Sequence, residues 1–306
     1  MITELGYGGA AGGGKSFLGC YLALYLCKEF PKIRGFIGRK ELKNLKRTTL
    51  VTLFTIAQEQ GITTYMNYNQ QDSVIRFNNG SEIVLVDTAY QPSDPLFTRF
   101  GSFEFGFGWV DESNESPIEG LNILRTRVGR CNWKKEWENK LESNQMFRVW
   151  SESKQRWELK PVFLETFNPN KGHVYRRFYK PYKENQLPNY RQFVPALPGD
   201  NPHLPDSYIQ SLQRADKVTR ERLLNGNFEY DDDSTKLMNY DCIQNIFSNS
   251  SIVAEGKKCI VVDVARLGKD KTTISAWNGW KITKLIEIAK DTLDNQLKVI
   301  EGLRIE

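Results

Sequence analysis

The sequence predicts an α/β fold with a mainly parallel sheet, and three observations favour it. Short apolar runs alternate with helical patterns along the first part of the chain. These runs are continuously apolar, which is typical of strands that are buried on both faces. A glycine-rich stretch separates the first run from the first helix. Strands and helices that alternate in this way form parallel sheets covered by helices.

The composition fits a folded protein without a membrane span. The chain has 306 residues, of which 40% are hydrophobic, and this is enough for one large domain or two unequal domains. No stretch of about 18 residues is uninterruptedly apolar, and the first residues lack the pattern of a secretory signal. We therefore expect no membrane partner and a location in the cytoplasm.

The residue types argue against several classes of site. Five cysteines form no C-x-x-C pair, and only two histidines, His173 and His203, are present. These counts disfavour a disulfide framework, a zinc site and a zincin helix. The net charge of +5 is compatible with a polyanionic partner but does not by itself indicate one.

The pattern of apolar and polar residues predicts the elements of the first domain in order. A strand at 2–7 is followed by a helix at 17–26 that is apolar on all sides, so we expect this helix to be buried. The later predictions are a strand at 35–38, a helix near 40–59, a hairpin of 73–77 and 82–86, an apolar run at 105–110, an exposed helix or loop at 133–157, a buried strand at 161–167 and a helix over 207–224. Six prolines lie between 181 and 205, so no long element is expected there.

A second unit follows an acidic linker that begins at 231–234. Its predicted elements are strands at 259–264, 272–277 and 281–288 and a helix at 293–303. The sequence therefore predicts two domains, at 1–245 and 256–306.

The segment from Gly9 to Ser16 has the pattern G-x-x-x-x-G-K-S between a strand and a helix. Glycines let successive backbone N–H groups curl around phosphate oxygens, and the following helix presents its positive N-terminus. We expect Lys15 to reach the β- and γ-phosphates of ATP, and the Ser16 hydroxyl to bind Mg²⁺. The residues predicted to hold the nucleotide here are Gly9, Gly12, Gly13, Gly14, Lys15 and Ser16. The first domain is thus predicted to be a P-loop NTPase.

Two acidic residues, Asp111 and Glu112, follow the apolar run at 105–110. Hydrolysis of ATP needs an acidic site at the end of a neighbouring strand, in addition to the phosphate loop. Asp111 is the predicted carboxylate on the metal side. Glu112 is the predicted general base that orients the attacking water.

With these motifs, the chain resembles the large terminase subunit of tailed bacteriophages, the ATP-driven motor that packs double-stranded DNA into a procapsid. The resemblance covers nearly the whole chain and depends on the order and spacing of several motifs. The stretches that carry it are 8–16, 37–40, 45–49, 109–112, 123–130, 166–169, 222–228 and 262–272.

The resemblance implies further roles in the first domain. Thr166 and Asn168 match the coupling motif of the family, which senses the γ-phosphate and passes hydrolysis to a moving subdomain; a simple turn is the alternative. An arginine would stabilise charge in the transition state. Arg99 is assigned to this role, and the alternatives are Arg39, Arg125, Arg127 and Arg130.

The second domain resembles the start of the RNase H-like nuclease that cuts concatemeric DNA. Such nucleases gather carboxylates around two divalent metal ions. Asp263 matches the first ligand and Asp270 matches a second acid in the next loop, so both are predicted to be catalytic and to bind Mg²⁺ or Mn²⁺. The later carboxylates of the family have no counterpart in the sequence, so we expect this chain alone to cut DNA poorly.

The resulting hypothesis is an ATPase motor that translocates double-stranded DNA as a homo-oligomeric ring. The implied partners are the portal protein and the small terminase subunit, in the host cytoplasm during phage assembly. The alternative is a truncated or degenerate remnant that binds nucleotide or DNA without turnover. Family members usually contact adenine ahead of the phosphate loop, where only seven residues stand here, so nucleotide selectivity stays open.

Overall fold

The computed structural model describes residues 1–230, 251–265, 271–288 and 293–305. The chain divides into two compact units, Met1–Ser234 and Thr235–Glu306. Each unit is described by itself below. The domain boundary predicted between 245 and 256 stays a prediction.

The first unit contains a large sheet with helices packed against it. Its strands are β1 (Glu4–Gly9), β2 (Arg34–Arg39), β3 (Met66–Asn69), β4 (Val74–Phe77), β5 (Glu82–Asp87), β6 (Phe107–Val110), β7 (Arg148–Ser151), β8 (Arg156–Leu159), β9 (Val162–Phe167) and β10 (Arg191–Ala196). Its helices are α1 (Lys15–Glu29), α2 (Leu42–Arg47), α3 (Thr49–Glu59), α4 (Ile118–Arg127), α5 (Glu138–Ser143), α6 (Lys180–Lys183), α7 (Asp206–Arg214) and α8 (Lys217–Leu223), and a π-helical turn covers Tyr175–Tyr179.

The large sheet has the strand order β10-β1-β9-β6-β2-β5-β4-β3. All neighbours from β10 to β5 are parallel, and only β4 and β3 add antiparallel pairs at one edge. The predicted α/β fold with a mainly parallel sheet is confirmed. Because β1, β6 and β9 are parallel neighbours or next neighbours, their carboxyl ends lie at the same edge, where ligands bind in open α/β sheets.

Helix α1 packs closely on β6. A Cβ atom built on Gly19 would lie 2.2 Å from Cε2 of Trp109, so only glycine allows this approach. The buried residues of α1 are Gly19, Cys20, Ala23, Leu24, Leu26 and Cys27. The expectation that α1 is buried all round is wrong at its first turns, because the side chains of Phe17 and Tyr21 are 53% and 45% exposed.

Three predicted elements differ from the structure. The proline-rich stretch at 181–205 contains β10, which tolerates Pro195 because β10 is the edge strand of the sheet. The helix predicted near 40–59 is divided into α2 and α3 at Thr48, whose backbone is not helical. The helix predicted over 207–224 is divided into α7 and α8, and the side chain of Asp216 caps α8 by accepting from the Thr219 N–H at 2.9 Å.

The segment at 133–157 is more buried than the sequence predicts. Trp137 is fully buried, its ring lies 5.5 Å from that of Phe30, and its indole N–H donates to the carbonyl of Pro31 at 2.8 Å. Strands β7 and β8 form a hairpin in this segment, in which the guanidinium of Arg156 lies 3.7 Å from the ring centroid of Trp133. The side chains of Trp133 and Trp137 are therefore used for packing.

A buried ionic cluster joins several elements of the first unit. Glu165 of β9 is fully buried, and its carboxylate accepts from Arg125 of α4 at 2.9 Å and lies 3.6 Å from Arg177 of the π-helical turn. Arg177 and Arg191 both bind Glu4 of β1, at 2.7 and 2.8 Å. Burial alone would raise the pKa of Glu165, but the arginines outweigh burial and lower it.

The second unit contains an antiparallel sheet of strands β11 (Lys258–Asp263), β12 (Thr272–Asn278) and β13 (Lys281–Ile288), together with helix α9 (Leu293–Ile305). Of the helices in the described ranges, none combines the length and the apolar character that crossing a membrane requires.

Candidate active site

The glycine-rich loop at 10–14 connects β1 to α1. Gly12 and Gly14 have φ values of +79° and +73°, in the left-handed region that favours glycine. Gly14 precedes the first turn of α1 and has no side chain with which to cap it. The N–H groups of this turn therefore lack a capping side chain, an arrangement that suits an anion.

Neighbouring segments fix the conformation of this loop. The Ala10 N–H donates to the carbonyl of Ala196 at the end of β10, and the Ala11 N–H donates to the carbonyl of Leu223 at the end of α8. The side-chain amide of Asn201 donates to the Gly12 carbonyl at 2.7 Å. The loop is thus held from the side of β10 and from the side of α8.

Lys15 and Ser16 occupy the start of α1. The Lys15 ammonium donates to the carbonyl of Ala10. Burial lowers the pKa of this ammonium to about 8, although Asp111 and Glu112 act in the opposite direction. Lys15 is therefore mostly protonated near pH 7 and presents a positive charge beside the loop.

Asp111 follows β6 and is held by two buried hydroxyl groups. Thr49 at the start of α3 donates to its Oδ2 at 2.7 Å, and Thr166 near the end of β9 donates to its Oδ1 at 2.8 Å. Thr166 in turn accepts from the indole N–H of Trp109 at 3.0 Å. The carboxylate is therefore fixed in one orientation, with its Oδ2 3.5 Å from Oγ of Ser16.

Glu112 stands next to Asp111 in a left-handed backbone conformation, with a φ of +50°. Non-glycine residues adopt this conformation rarely, and it is often found at functional sites. Its carboxylate forms an ion pair with Arg39 at the end of β2. Burial raises the pKa of Glu112, and Arg39 opposes this effect.

These residues surround one cleft of about 380 Å³ at the carboxyl edge of the sheet. The lining residues are Ala11, Gly12, Gly14, Lys15, Ser16, Phe17, Thr52, Asp111, Glu112, Phe167, Asn168 and Asn201. The structure thus brings together most residues that the sequence predicts for nucleotide and metal binding in the first domain. Ser16 and Asp111 supply oxygen donors, which fit the preference of Mg²⁺.

Other predicted residues lie away from this cleft. Arg99 binds Asp94 at 2.9 Å, and its guanidinium lies 4.4 Å from the ring centroid of Phe100, so this side chain is used in local packing. Arg125 is paired with the buried Glu165. Arg39, which the sequence offers only as an alternative to Arg99, is the arginine that contacts the acidic pair.

The roles of Thr49, which binds Asp111, and of Asn201, which binds the Gly12 carbonyl, are missed by sequence reasoning, although Thr49 ends one of the stretches that carry the resemblance. Their signal is weak in the sequence, because a threonine or asparagine in a helix start or a turn is common. In the second unit, Asp263 ends β11 with an exposed side chain, and Asp270 lies outside the described residues. Within the part of the chain that the structure describes, no three His, Cys, Asp or Glu residues are grouped as a metal site.

Comparison with known proteins identifies the fold. No family model and no curated protein matches the chain. The large terminase of a thermophilic bacteriophage aligns with 99% of this chain and 68% of its own, at 13% identity and a TM-score of 0.54. The structure of that terminase with ADP aligns over 69% of its own length, at 14% identity and a TM-score of 0.54. Its structure with ATP-γ-S aligns at 13% identity and a TM-score of 0.53.

The fold and the cleft define a mixed α/β protein with a large, mostly parallel sheet and a candidate ligand site at its carboxyl edge. More specifically, the fold is similar to that of the large terminase of the thermophilic bacteriophage.

Proposed function

We propose that this chain is an ATP-hydrolysing motor subunit of a phage terminase that translocates double-stranded DNA. One observation carries the proposal: the Ser16 hydroxyl and the Asp111 carboxylate, 95 positions apart in sequence, lie 3.5 Å apart in the same cleft. The glycine-rich loop, Lys15 and Glu112 border the same cleft. The nucleotide complexes of the thermophilic phage terminase support the same ligand class.

Each residue has a chemical role in this proposal. Gly9, Gly12, Gly13 and Gly14 allow the backbone to follow the phosphates, and Lys15 neutralises charge on the β- and γ-phosphates. Ser16 and Asp111 would hold Mg²⁺, which polarises the phosphates when it is bound. Glu112 accepts a proton from the attacking water.

The ion pair between Arg39 and Glu112 limits this chemistry. A carboxylate that is engaged by a guanidinium is a poorer base and is not free to orient water. Hydrolysis therefore requires the Arg39 side chain to leave Glu112. An arginine released in this way would be available to stabilise charge on the transferred phosphate.

Thr166 and Asn168 connect this cleft to the rest of the unit. Thr166 binds Asp111 directly, and Asn168 lines the cleft. The next residue, Pro169, accepts two hydrogen bonds from Arg222 of α8. A change at the γ-phosphate would thus reach α8 through β9, as coupling of hydrolysis to motion requires.

Double-stranded DNA would be bound through its phosphates, without base readout. DNA affinity should then fall steeply with salt and change little with DNA sequence. Binding isotherms at several salt concentrations on unrelated duplexes check this, and a sequence-specific footprint at fixed salt contradicts it. The portal protein, the small terminase subunit and further copies of this chain in a ring complete the proposed machine, in the host cytoplasm.

The first experiment is steady-state ATPase activity with and without linear double-stranded DNA. We expect Mg²⁺-dependent turnover that Glu112→Gln abolishes and that DNA stimulates. Glu119→Gln is the matched control, because Glu119 lies in the first turn of the nearby α4 and is exposed. Negligible and equal rates from well-folded preparations would instead favour the remnant that binds without turnover.

We also propose that the second unit is the start of an RNase H-like nuclease in which Asp263 and Asp270 bind Mg²⁺ or Mn²⁺. The antiparallel order of β11, β12 and β13 is compatible with such a start. Cleavage of supercoiled DNA with Mn²⁺, compared between the chain and Asp263→Asn, tests this proposal. Weak activity that the substitution removes would support it, and activity that survives would contradict it.

A further inference from the structure

The cleft contains one aromatic side chain that the phosphate and metal roles leave unexplained. Of the two rings among its lining residues, that of Phe167 is fully buried and packs against the rings of Phe178 and Phe193. The ring of Phe17 is 53% exposed. A large apolar side chain held half in water at a ligand cleft costs hydration free energy that a bound ligand can recover.

The position of Phe17 indicates which part of a ligand it would meet. It directly follows Lys15 and Ser16 in the first turn of α1. Lys15 serves the β- and γ-phosphates, Ser16 serves the metal ion, and the backbone N–H groups serve the α- and β-phosphates. The nucleoside is attached to the α-phosphate and extends away from the loop, and Phe17 is the exposed cleft-lining ring that directly follows the loop and Ser16.

The ring of Phe17 is also held in a defined orientation by its neighbour on α1. It lies nearly parallel to the ring of Tyr21 one helical turn later, with an interplanar angle of 9° and a centroid distance of 6.4 Å. The Tyr21 side chain is 45% exposed and does not line the cleft. The two rings therefore form a stacked pair on α1, and Phe17 is the member of the pair that lines the cleft.

Resting on the proposed function, we propose that Phe17 is the base-stacking residue of the nucleotide site. Stacking on a phenyl ring is tolerant of base identity, because every base has a π-face. Phe17 would thus add affinity for nucleoside triphosphates in general and select only weakly between ATP and GTP.

A second aromatic residue near the loop provides an internal comparison. Tyr208 of α7 lies beside Gly12 of the loop, where its Cε1 would lie 3.1 Å from a Cβ atom built on that glycine. Its side chain is 36% exposed, but it does not line the cleft. We therefore assign the base to the side of Phe17 and use Tyr208 as a test of that choice.

The test is equilibrium binding of ATP, GTP and inorganic tripolyphosphate, each with Mg²⁺, to the whole chain. Phe17→Ala should weaken ATP and GTP binding about tenfold, which is the order expected for loss of one aromatic stack. Tripolyphosphate has no base, so its affinity should stay within about twofold. Phe17→Tyr should restore nucleotide binding, and Tyr208→Ala should leave it near the wild-type value.

The outcomes separate this inference from the proposed function. Binding of ATP that is unchanged in Phe17→Ala overturns the inference, and so does an equal loss for ATP and tripolyphosphate, which indicates damage to the phosphate loop. A loss in Tyr208→Ala without one in Phe17→Ala overturns the inference and places the base beside Tyr208. A wild-type chain that binds neither ATP nor tripolyphosphate overturns the proposed function itself.

Discussion

At the scale of single residues, the site is organised by hydroxyl groups that position acids. The Asp111 carboxylate has a hydroxyl partner on each oxygen, from Thr49 and from Thr166. Charge-assisted hydrogen bonds of this kind are stronger than neutral ones and fix the direction of the acceptor. The orientation of Asp111 toward Ser16 is thus set by α3 and β9 as well as by its own strand.

Replacing Thr166 by valine tests this arrangement. Valine keeps the shape of the side chain but removes the hydroxyl, so the Trp109 N–H and one oxygen of Asp111 lose their partner in the buried site. We expect a loss of about 1–3 kcal/mol in the free energy of unfolding and a marked fall in ATPase rate. Urea denaturation and steady-state kinetics measure these two effects.

Thr166→Ser is the matched control, because it keeps the hydroxyl and removes only a methyl group, at a cost of about 1 kcal/mol. Its ATPase rate should stay close to that of the wild type. A valine variant as stable and active as the serine variant would show that the hydroxyl does not organise Asp111.

His173 gives the stability of the first unit a pH dependence. Its Nε2 lies 2.8 Å from the carbonyl of Ser113, and burial lowers its pKa below the usual 6.5 despite the nearby Glu165. The unfolded chain therefore binds this proton more readily, so stability is fully present above about pH 6.5 and decreases as the pH falls below it.

Chemical denaturation between pH 5 and 8 measures the effect. His173→Gln should reduce the change in the free energy of unfolding over this pH range relative to the wild type. His203→Gln, at the other and exposed histidine, is the matched control. Parallel profiles for all three proteins would contradict the assignment.

The residues of the site differ in how well the sequence predicts them. Two local motifs, each a strand followed by a turn, contain Lys15, Ser16, Asp111 and Glu112. The local sequence pattern is therefore sufficient to predict these residues. The arginine is different, because its position depends on which strand lies beside β6. That strand is β2, which carries Arg39, and strand order is not encoded in the spacing of the motifs.

At the scale of elements, continuously apolar strands were predictable, whereas edge elements were not. Strands β2, β6 and β9 are central and covered on both faces, so their side chains are mostly apolar, and Glu165 and Thr166 of β9 are buried exceptions. Strand β10 pairs only with β1, so it tolerates Pro195 and its sequence does not resemble a buried strand. Likewise, the buried Trp137 lies among charged residues in sequence, and its burial depends on packing against the core and on its contacts with the residues that follow α1.

The contact between α1 and β6 can be tested at Gly19. In Gly19→Ala the new methyl group would overlap the indole of Trp109, so α1 or the ring must shift. We expect a loss of about 1–3 kcal/mol in the free energy of unfolding, as for other overpacked sites. Thermal and urea unfolding measure it.

Gly302→Ala in α9 is the control, because a Cβ atom there meets nothing within 4 Å. It should be neutral or stabilise by up to about 1 kcal/mol, since alanine favours helix. Equal effects at the two positions would mean that the close approach of α1 to β6 is not required.

At the scale of the whole first unit, the buried cluster around Glu165 links β1, β9 and β10 with α4. Glu165→Ala would leave Arg125 buried without this carboxylate, whereas Arg177 would keep its pair with Glu4. Loss of one partner from a buried ion pair typically costs about 3–5 kcal/mol, and we expect a loss in this range by urea denaturation.

The control for this prediction is Glu158→Ala in the β7–β8 hairpin. Glu158 is paired with Arg156 and Lys154 nearer the surface, where a pair contributes about 1 kcal/mol or less. A Glu165 variant no less stable than the Glu158 variant would show that the cluster is not a structural link.

The position of β1 has a consequence for how the protein is made. This strand lies between β9 and β10, so Glu4 is paired with Phe163 on one side and Arg191 on the other. Strand β1 leaves the ribosome long before either partner and must wait until β10 has been synthesised. Pairings so distant in sequence form slowly, and until then β1 exposes both of its edges, which favours aggregation or chaperone binding. The strand that leads into the glycine-rich loop is thus translated before its partners, and its pairing is completed late.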